Sequence, residues 1–532
     1  MRCMFHMTAV AVTVLAGLAA ADVARAEEPD GPALLETWCG ACHDRVGGGL
    51  TRIAHQRKTP EGWLMTIVRM GIMHGVEVAP ADRRVLVKYL SDTQGLAPEE
   101  AAPYRYILER QPSVVESFPD DYTQMCGRCH SGARGALQRR TRDEWLLHIH
   151  FHLGQWPTTE YQFLGRDREW FEIATTATTD WLAEQFPLGS SAWTAWRTRP
   201  APNLAGEWRI IARGPGLGFR HGIATLSATG SDSYATNTRM VLAAGRAQVA
   251  AGNAILYTGY EFRQRLNLPT GGQNLEIGAV SADGNTITGR SMRADADEIG
   301  VDFRAVRVRD GHAEVMAVEP PYIKAGTKRT ISIHGTGLAG RVDLGGGIKV
   351  VDVVAVSDST VTVIAQAAAD ARAGARPVGV GGAIAERMLT VYAGVDSVRV
   401  EPAFAIARVG GGGGSRARQQ AMFDAVAYAN GADDEPGTDD DLRIGAMPAV
   451  WEVQPFDEAA AALDDVKYAG RVDAATGAFT PAVAGLNPER PFSTNNAGNL
   501  KIVGTIDDDG AKHSGEGQLV VTVQRWNDPP IR

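Results

Sequence analysis

Apolar residues recur with two different periods along this chain, and the change comes near residue 200. Before it the spacing is helical. In residues 61–70, Trp63, Leu64, Ile67, Val68 and Met70 fall near a 3.6-residue period, and Gly71 follows as a predicted C′ residue. Ala79-Pro80-Ala81-Asp82 opens a second helix reaching Lys88-Tyr89-Leu90, with Pro80 where helix starts tolerate it. After residue 200 the pattern alternates. Leu204-Ala-Gly206-Glu-Trp208-Arg-Ile210-Ile211 reads as a strand and Ser281-Ala-Asp283-Gly284-Asn285-Thr-Ile287 as a hairpin.

With 532 residues the chain exceeds one ordinary core, and roughly three to five domains are expected. Residues 203–312, with short strands and regular turn signals, predict a β-barrel. The Gly206-x-Trp208 start is weakly similar to lipocalin-like barrels, and a packed interior is expected rather than a ligand pocket. In residues 313–395, Thr330-Ile331-Ser-Ile333 and Ser359-Thr-Val361-Thr-Val363 alternate across glycine-rich turns, which resembles an immunoglobulin-like sandwich. Residues 396–532 read as a second such domain. They begin Val398-Arg-Val400-Glu-Pro402, much as the previous domain begins Val318-Glu-Pro320-Pro321.

Charge adds little. A net −9 without a basic block excludes nucleic acid as an expected partner. Residues 1–26 carry Arg2, a short apolar run and Ala24-Arg25-Ala26, the pattern of a cleaved secretory signal peptide. The run is shorter than the ~20 residues of a spanning helix, so no membrane span and a periplasmic mature protein are expected. The glycine run at 410–414 lacks the lysine of a phosphate loop and reads as a connection. Asp433-Asp434-Glu435 and Asp439-Asp440-Asp441 lack EF-hand spacing and read as solvated loops. Asp507-Asp508-Asp509-Gly510 reads as a turn.

The chemistry is concentrated in the helical part. Cys39-Gly-Ala-Cys42-His43 and Cys126-Gly-Arg-Cys129-His130 are both Cys-x-x-Cys-His, the c-type haem attachment pattern. Two thiols one helical turn apart can add to the two vinyl groups of one porphyrin, and the next imidazole then faces the iron. Of five cysteines only Cys3 lies outside the motifs, in the predicted leader. Zinc sites bring their cysteine pairs closer in sequence than these, and a redox pair would sit in a βαβ context. Two covalently bound haems c are therefore expected, attached through Cys39, Cys42, Cys126 and Cys129, with His43 and His130 as proximal iron ligands.

A repeat extends the argument. Thr59-Pro-Glu-Gly-Trp63-Leu64 matches Thr141-Arg-Asp-Glu-Trp145-Leu146 without a gap, and Asp180-Trp181-Leu182 is the expected counterpart of the Tyr89-Leu90 helix end. Residues 27–202 then form an α-helical dihaem cytochrome c domain, two halves each resembling a small class I cytochrome c, joined by 94–119. The first half offers Met65, Met70, Met73 and His74 as sixth ligand. Met73, expected in a loop after the helix, ranks first, Met70 second and His74 third. The second half has no methionine between His130 and Met240 but has His148, His150 and His152. His152, nearest a loop expected from Gly154, ranks first, with His150 and His148 as alternatives.

This order of domains, with Met70-Gly-Ile-Met73-His74-Gly75, the Asp82 to Leu90 segment and the histidine cluster, resembles the α subunit of quinohemoprotein amine dehydrogenase across the whole mature chain. The resemblance implies a periplasmic heterotrimer. A small partner subunit would bear a cysteine tryptophylquinone that oxidises primary amines, and a β-propeller subunit would complete the assembly. Electrons would pass through this chain to a blue-copper protein or cytochrome c. It also implies one bis-histidine and one His/Met haem, and no catalytic residue on this chain. The alternative is a free-standing periplasmic dihaem electron carrier with β docking domains.

Overall fold

A computed structural model of the protein describes residues 30–111, 113–155, 167–243, 245–412 and 417–523. The predicted leader and part of the 410–414 glycine run lie outside these residues.

The first half of the helical part is built on three helices. Gly31–Cys39 carries the first cysteine, and Pro60–His74 and Pro80–Gln94 follow. Leu50, Ile53, Trp63, Ile67, Leu86, Val87 and Leu90 form their common core. The first helix crosses the third at Gly31, where a Cβ would stand 2.6 Å from Tyr89 Cβ. Gly31→Ala is therefore expected to force the two helices apart and destabilise by about 1–3 kcal/mol, the cost of overpacking. Denaturant unfolding of the haem-loaded chain checks this, and an unchanged midpoint would contradict the close crossing.

The second half repeats the plan. Cys126 lies on a wide π-helical turn, Thr123–Gly127, and the Arg142–Gln155 and Thr179–Gln185 helices follow. Trp145 Nε1 donates to Phe186 O at 3.3 Å, as its repeat counterpart Trp63 donates to Gln94 O at 3.0 Å. Trp181 packs on Tyr122 (centroids 4.8 Å apart), ahead of the second motif, as Tyr89 packs on Gly31 ahead of the first. Five extra residues separate His43 from Gln56 relative to His130 and Gln138. They belong to a small hairpin, Arg45–Val46 with Gly49–Leu50.

The halves meet on a two-stranded antiparallel ribbon, Gln56–Lys58 with Gln138–Arg140, in which Arg57 pairs with Arg139 and Lys58 with Gln138. Arg57 and Arg139 are equivalent positions of the repeat, so a local two-fold axis runs through this pair. Farther out, Arg69 stacks on Phe151, again its own counterpart, at 5.3 Å. The 94–119 connection is more than a linker. Its Pro98–Ala101 turn buries Glu100 against Arg57 (2.8 Å) and Arg139 (3.2 Å) at the axis.

Two helix ends differ from expectation. The Pro60–His74 helix passes through Gly71 and closes at Gly75, where φ is 71° and Gly75 N and Val76 N bond to Gly71 O and Met70 O. A glycine inside a helix costs only ~1 kcal/mol, whereas the left-handed residue makes the actual cap. Met73 and His74 thus sit on the last helical turn rather than in a loop. The Arg142–Gln155 helix likewise includes Gly154.

Eight antiparallel strands from Gly206–Gly214 to Gly300–Arg307 close into a barrel, the last pairing with the first. Trp208, Tyr234, Leu256, Phe262, Ile287 and Phe303 are among the side chains filling its interior. Asp283-Gly284-Asn285 forms the expected hairpin turn, with Gly284 at φ 71°. The barrel docks on the helical part through Arg263 to Glu61 (2.6 Å) and Thr258 N to Asp92 Oδ1 (2.7 Å). Beyond it, two four-stranded sheets enclose Ile323, Ile331, Ile333, Val363 and Leu389. A three-stranded and a four-stranded sheet then enclose Val400, Phe423, Leu500, Ile502 and Leu519. Asp507 accepts from Gly510 N (2.7 Å) in a tight turn, and Asp440 accepts from Ala432 N (2.6 Å) in an exposed loop.

Candidate haem sites

Cys39 ends its helix half-buried and Cys42 is exposed one turn on; Cys126 and Cys129 repeat this. Burial, then the neighbouring Cys42, pushes the Cys39 thiol up to about 11, and burial, then Cys129, pushes Cys126 up to about 12. These thiols stay protonated at neutral pH, unlike the low-pKa cysteine of a redox pair. Among the described residues no three His, Cys, Asp or Glu side chains converge as a metal cluster.

The histidines carry more information. His43 Nδ1 lies 2.8 Å from Thr51 O, His130 Nδ1 2.9 Å from Ser131 O, and His152 Nδ1 2.8 Å from His148 O. A carbonyl only accepts, so each Nδ1 carries a hydrogen, and Nε2 is the nitrogen left to face a metal. That orientation is how proteins prepare imidazole for a metal. Among the described histidines these three alone direct Nδ1 at a main-chain carbonyl. Burial, against the carbonyl bond, pushes His152 down to about 4, so its ring is neutral at pH 7.

The fold brings His130 and His152 together, with ring centroids 6.5 Å apart. Imidazoles bound to one metal from opposite sides, each at about 2 Å, would place their centroids roughly 6–6.5 Å apart. The pair fits a bis-histidine haem. His148 turns aside, edge-on to His152 (4.5 Å) and stacked on Phe151, while His150 is exposed and packs on Phe171 (5.3 Å).

In the first half, Met65 Sδ accepts from Arg69 Nη2 at 3.0 Å. Met70 is half-buried, Met73 is 44% exposed and His74 is exposed. The ungapped repeat places Met70 at the position of His152. An open cleft beside this helix is lined by the apolar Ile67, Val68, Ile72, Val76 and Val78 together with Gly71, Glu77 and Arg83.

The charged seam between the halves carries no recognised motif in the sequence. The repeat in fact begins three residues earlier than Thr59, as Gln-Arg-Lys-Thr and Gln-Arg-Arg-Thr. Arg57, Lys58, Arg139 and Arg140 are all at most 5% exposed. Extending the alignment upstream would have found them.

No curated protein matches this chain. Solved structures give only local likenesses. A de novo designed fluorescence-activating β-barrel is 15% identical and covers 20% of this chain and 95% of its own, with a TM-score of 0.18. Domains 5–6 of the S-layer protein SbsC are 14% identical over 40% of this chain and 99% of theirs, TM-score 0.17. The Bacteroides ovatus glucan-utilization protein SGBP-B is 12% identical over 48% and 53%, TM-score 0.17. None of these carries an argument. Family models do: quinohemoprotein amine dehydrogenase α subunit haem binding matches 29–193, domain II 201–308, domain III 312–393 and domain IV 398–531. With all four matched in order, and the haem-binding one lying over both Cys-x-x-Cys-His motifs, the chain belongs to the quinohemoprotein amine dehydrogenase α-subunit family.

Proposed function

We propose that this chain is the dihaem electron-transfer subunit of a periplasmic quinohemoprotein amine dehydrogenase. The observation carrying it is the pair of Cys-x-x-Cys-His motifs whose histidines are held by main-chain carbonyls with Nε2 free. Each haem, once bound, takes up and releases one electron. The chain's own residues fix where and at what potential. Cys39 and Cys42 hold the first haem and His43 its iron; Cys126, Cys129 and His130 do the same for the second. His152 is the second iron's other ligand. For the first, Met73 and Met70 compete, and the equivalence of Met70 with His152 now favours Met70. His/Met ligation raises potential relative to bis-histidine, so the two sites differ and transfer is directional.

That difference gives a test of the ligands. Met70→Ala is expected to abolish the sulfur-to-iron charge-transfer band of the oxidised protein and lower one of its two potentials, whereas Met73→Ala leaves both. The reverse outcome assigns Met73.

Amine oxidation itself needs an electrophilic carbonyl supplied by a cofactor. We place that cofactor, a cysteine tryptophylquinone, on a small partner subunit, with a β-propeller subunit completing a heterotrimer and a blue-copper protein or cytochrome c as acceptor. The two sheet-pair domains are read as immunoglobulin-like scaffolding. Among the described residues no helix is long and apolar enough to cross a membrane. Native purification through this chain tests the reading. A small subunit positive for redox-cycling quinone stain should co-purify; a chain that purifies alone would point to the free-standing electron carrier.

A further inference from the structure

The seam between the halves holds more buried cations than anions. Lys58 is 4% exposed, and its hydrogen bond goes to the Thr66 hydroxyl (2.6 Å), with its ammonium 5.1 Å from the centroid of the Trp63 ring. Arg140, its repeat counterpart, is 3% exposed and sits over Trp145 at 5.4 Å. The two differ in one respect. Arg140 has a carboxylate four residues on, Glu144, at 3.0 Å. The matching position beside Lys58 is Gly62, where even a Cβ would meet Lys58 Cβ at 2.9 Å. No acid can sit there. Glu144 is also held by Arg52 (2.9 Å), and Arg140 Nε has no partner. Arg69 completes the group, stacked on Phe151 and bonded to the Met65 sulfur.

Four cations thus face one carboxylate, and an unpaired buried cation is costly unless an anion reaches it. The groups around Lys58 are Trp63 and Thr66 of its own segment, and Arg140, Glu144, Arg52, Arg69 and His148. Burial first, then Arg140 and Arg69, pushes the Lys58 pKa well below its ordinary value, and an added anion acts in the opposite direction. Trp145, under Arg140, meets His148 with ring centroids 6.0 Å apart, and Phe151, under Arg69, meets His152 at 6.0 Å, so the cluster borders the second haem site.

We propose that Lys58, Arg69 and Arg140 form a carboxylate-binding pocket for the propionates of the haem attached at Cys126 and Cys129. This rests on the haem reading above. A haem c brings two carboxylates, the number of missing anions is of that order, and Glu144 cannot serve two arginines and a lysine alone. The pocket then holds the propionates ionised and the second haem's potential up, because a removed positive charge favours the ferric state.

The test uses the haem-loaded full chain. Lys58→Met, Arg69→Gln and the charge-keeping Arg69→Lys are compared by optical redox titration from pH 5 to 8, after a pyridine haemochrome count. Lys58→Met and Arg69→Gln should each shift the reduction equilibrium of the bis-histidine haem tenfold or more toward ferric, about 59 mV for one electron. They should also give its potential a new slope with pH, since a less-compensated propionate takes a proton on reduction. Arg69→Lys should restore both. Unmoved potentials without a new slope, in a protein with normal haem content, would overturn the pocket and leave Lys58 as a neutral packing group. A shift confined to the other haem would also overturn it. If Lys58→Met fails to load haem, the Arg69 pair decides alone. An unmodified chain without haem at Cys126 and Cys129 would defeat the haem reading itself, which the haem count reveals before any titration.

Discussion

Replacing Cys126 and Cys129 together by alanine halves the covalently bound haem. Both thiols belong to one motif, and the other two described cysteines form the second. Burial holds the Cys126 thiol protonated, so that thiol has no thiolate role to lose, and the expected change is the loss of one haem per chain. The denatured variant should retain one haem per chain through Cys39 and Cys42. Haem-stained denaturing gels and a pyridine haemochrome count per chain read this directly. Two retained haems, or bound zinc in place of haem, would contradict the attachment reading.

The second large effect comes from the axis between the halves. Glu100 takes two bonds from Arg57 (both 2.8 Å), one from Arg139 (3.2 Å), one from Ser190 (2.9 Å) and one from Ala97 N (2.8 Å), and its side chain is 7% exposed. Burial alone would raise its pKa; the Arg57 bonds, the Ala97 amide and Arg139 bring it down to about 2. Glu100→Gln leaves two buried guanidinium groups short of their carboxylate, which costs roughly 3–5 kcal/mol. The sign with pH follows from the depressed pKa. The carboxylate's contribution, about 3 kcal/mol, is fully present above its unfolded pKa and is lost as pH falls through the folded value. Denaturant unfolding at pH 7 and pH 3 should therefore show a large deficit for the variant at pH 7 and a smaller one at pH 3. Equal deficits at both would contradict the ion-pair account.

The two Cys-x-x-Cys-His motifs are legible in the sequence because the haem attachment pattern prescribes residue type and spacing together. The barrel was legible because hairpin turns such as Asp283-Gly284-Asn285 and strict alternation leave little choice of register. The end of the Pro60–His74 helix was not. Gly71 has the residue type of a cap, but the chain conformation that distinguishes a cap belongs to Gly75, and only φ reveals it. The same error set Met73 in a loop. His152 ranked first for its nearness to a loop at Gly154, but Gly154 lies inside the helix; what separates His152 from His148 and His150 is its 2.8 Å bond to a carbonyl. The seam escapes a reading of the sequence because buried Arg57 and Lys58 look like solvated charge there, and the partner of Arg57, Glu100, is some forty residues away.

The most direct test of the account is rapid mixing of a primary amine with the native complex and with the isolated, haem-loaded chain, followed at the reduced-haem absorption bands. Both haems of the complex should become reduced, and those of the isolated chain should stay oxidised. Reduction of the isolated chain by amine would contradict the division of labour proposed for this subunit.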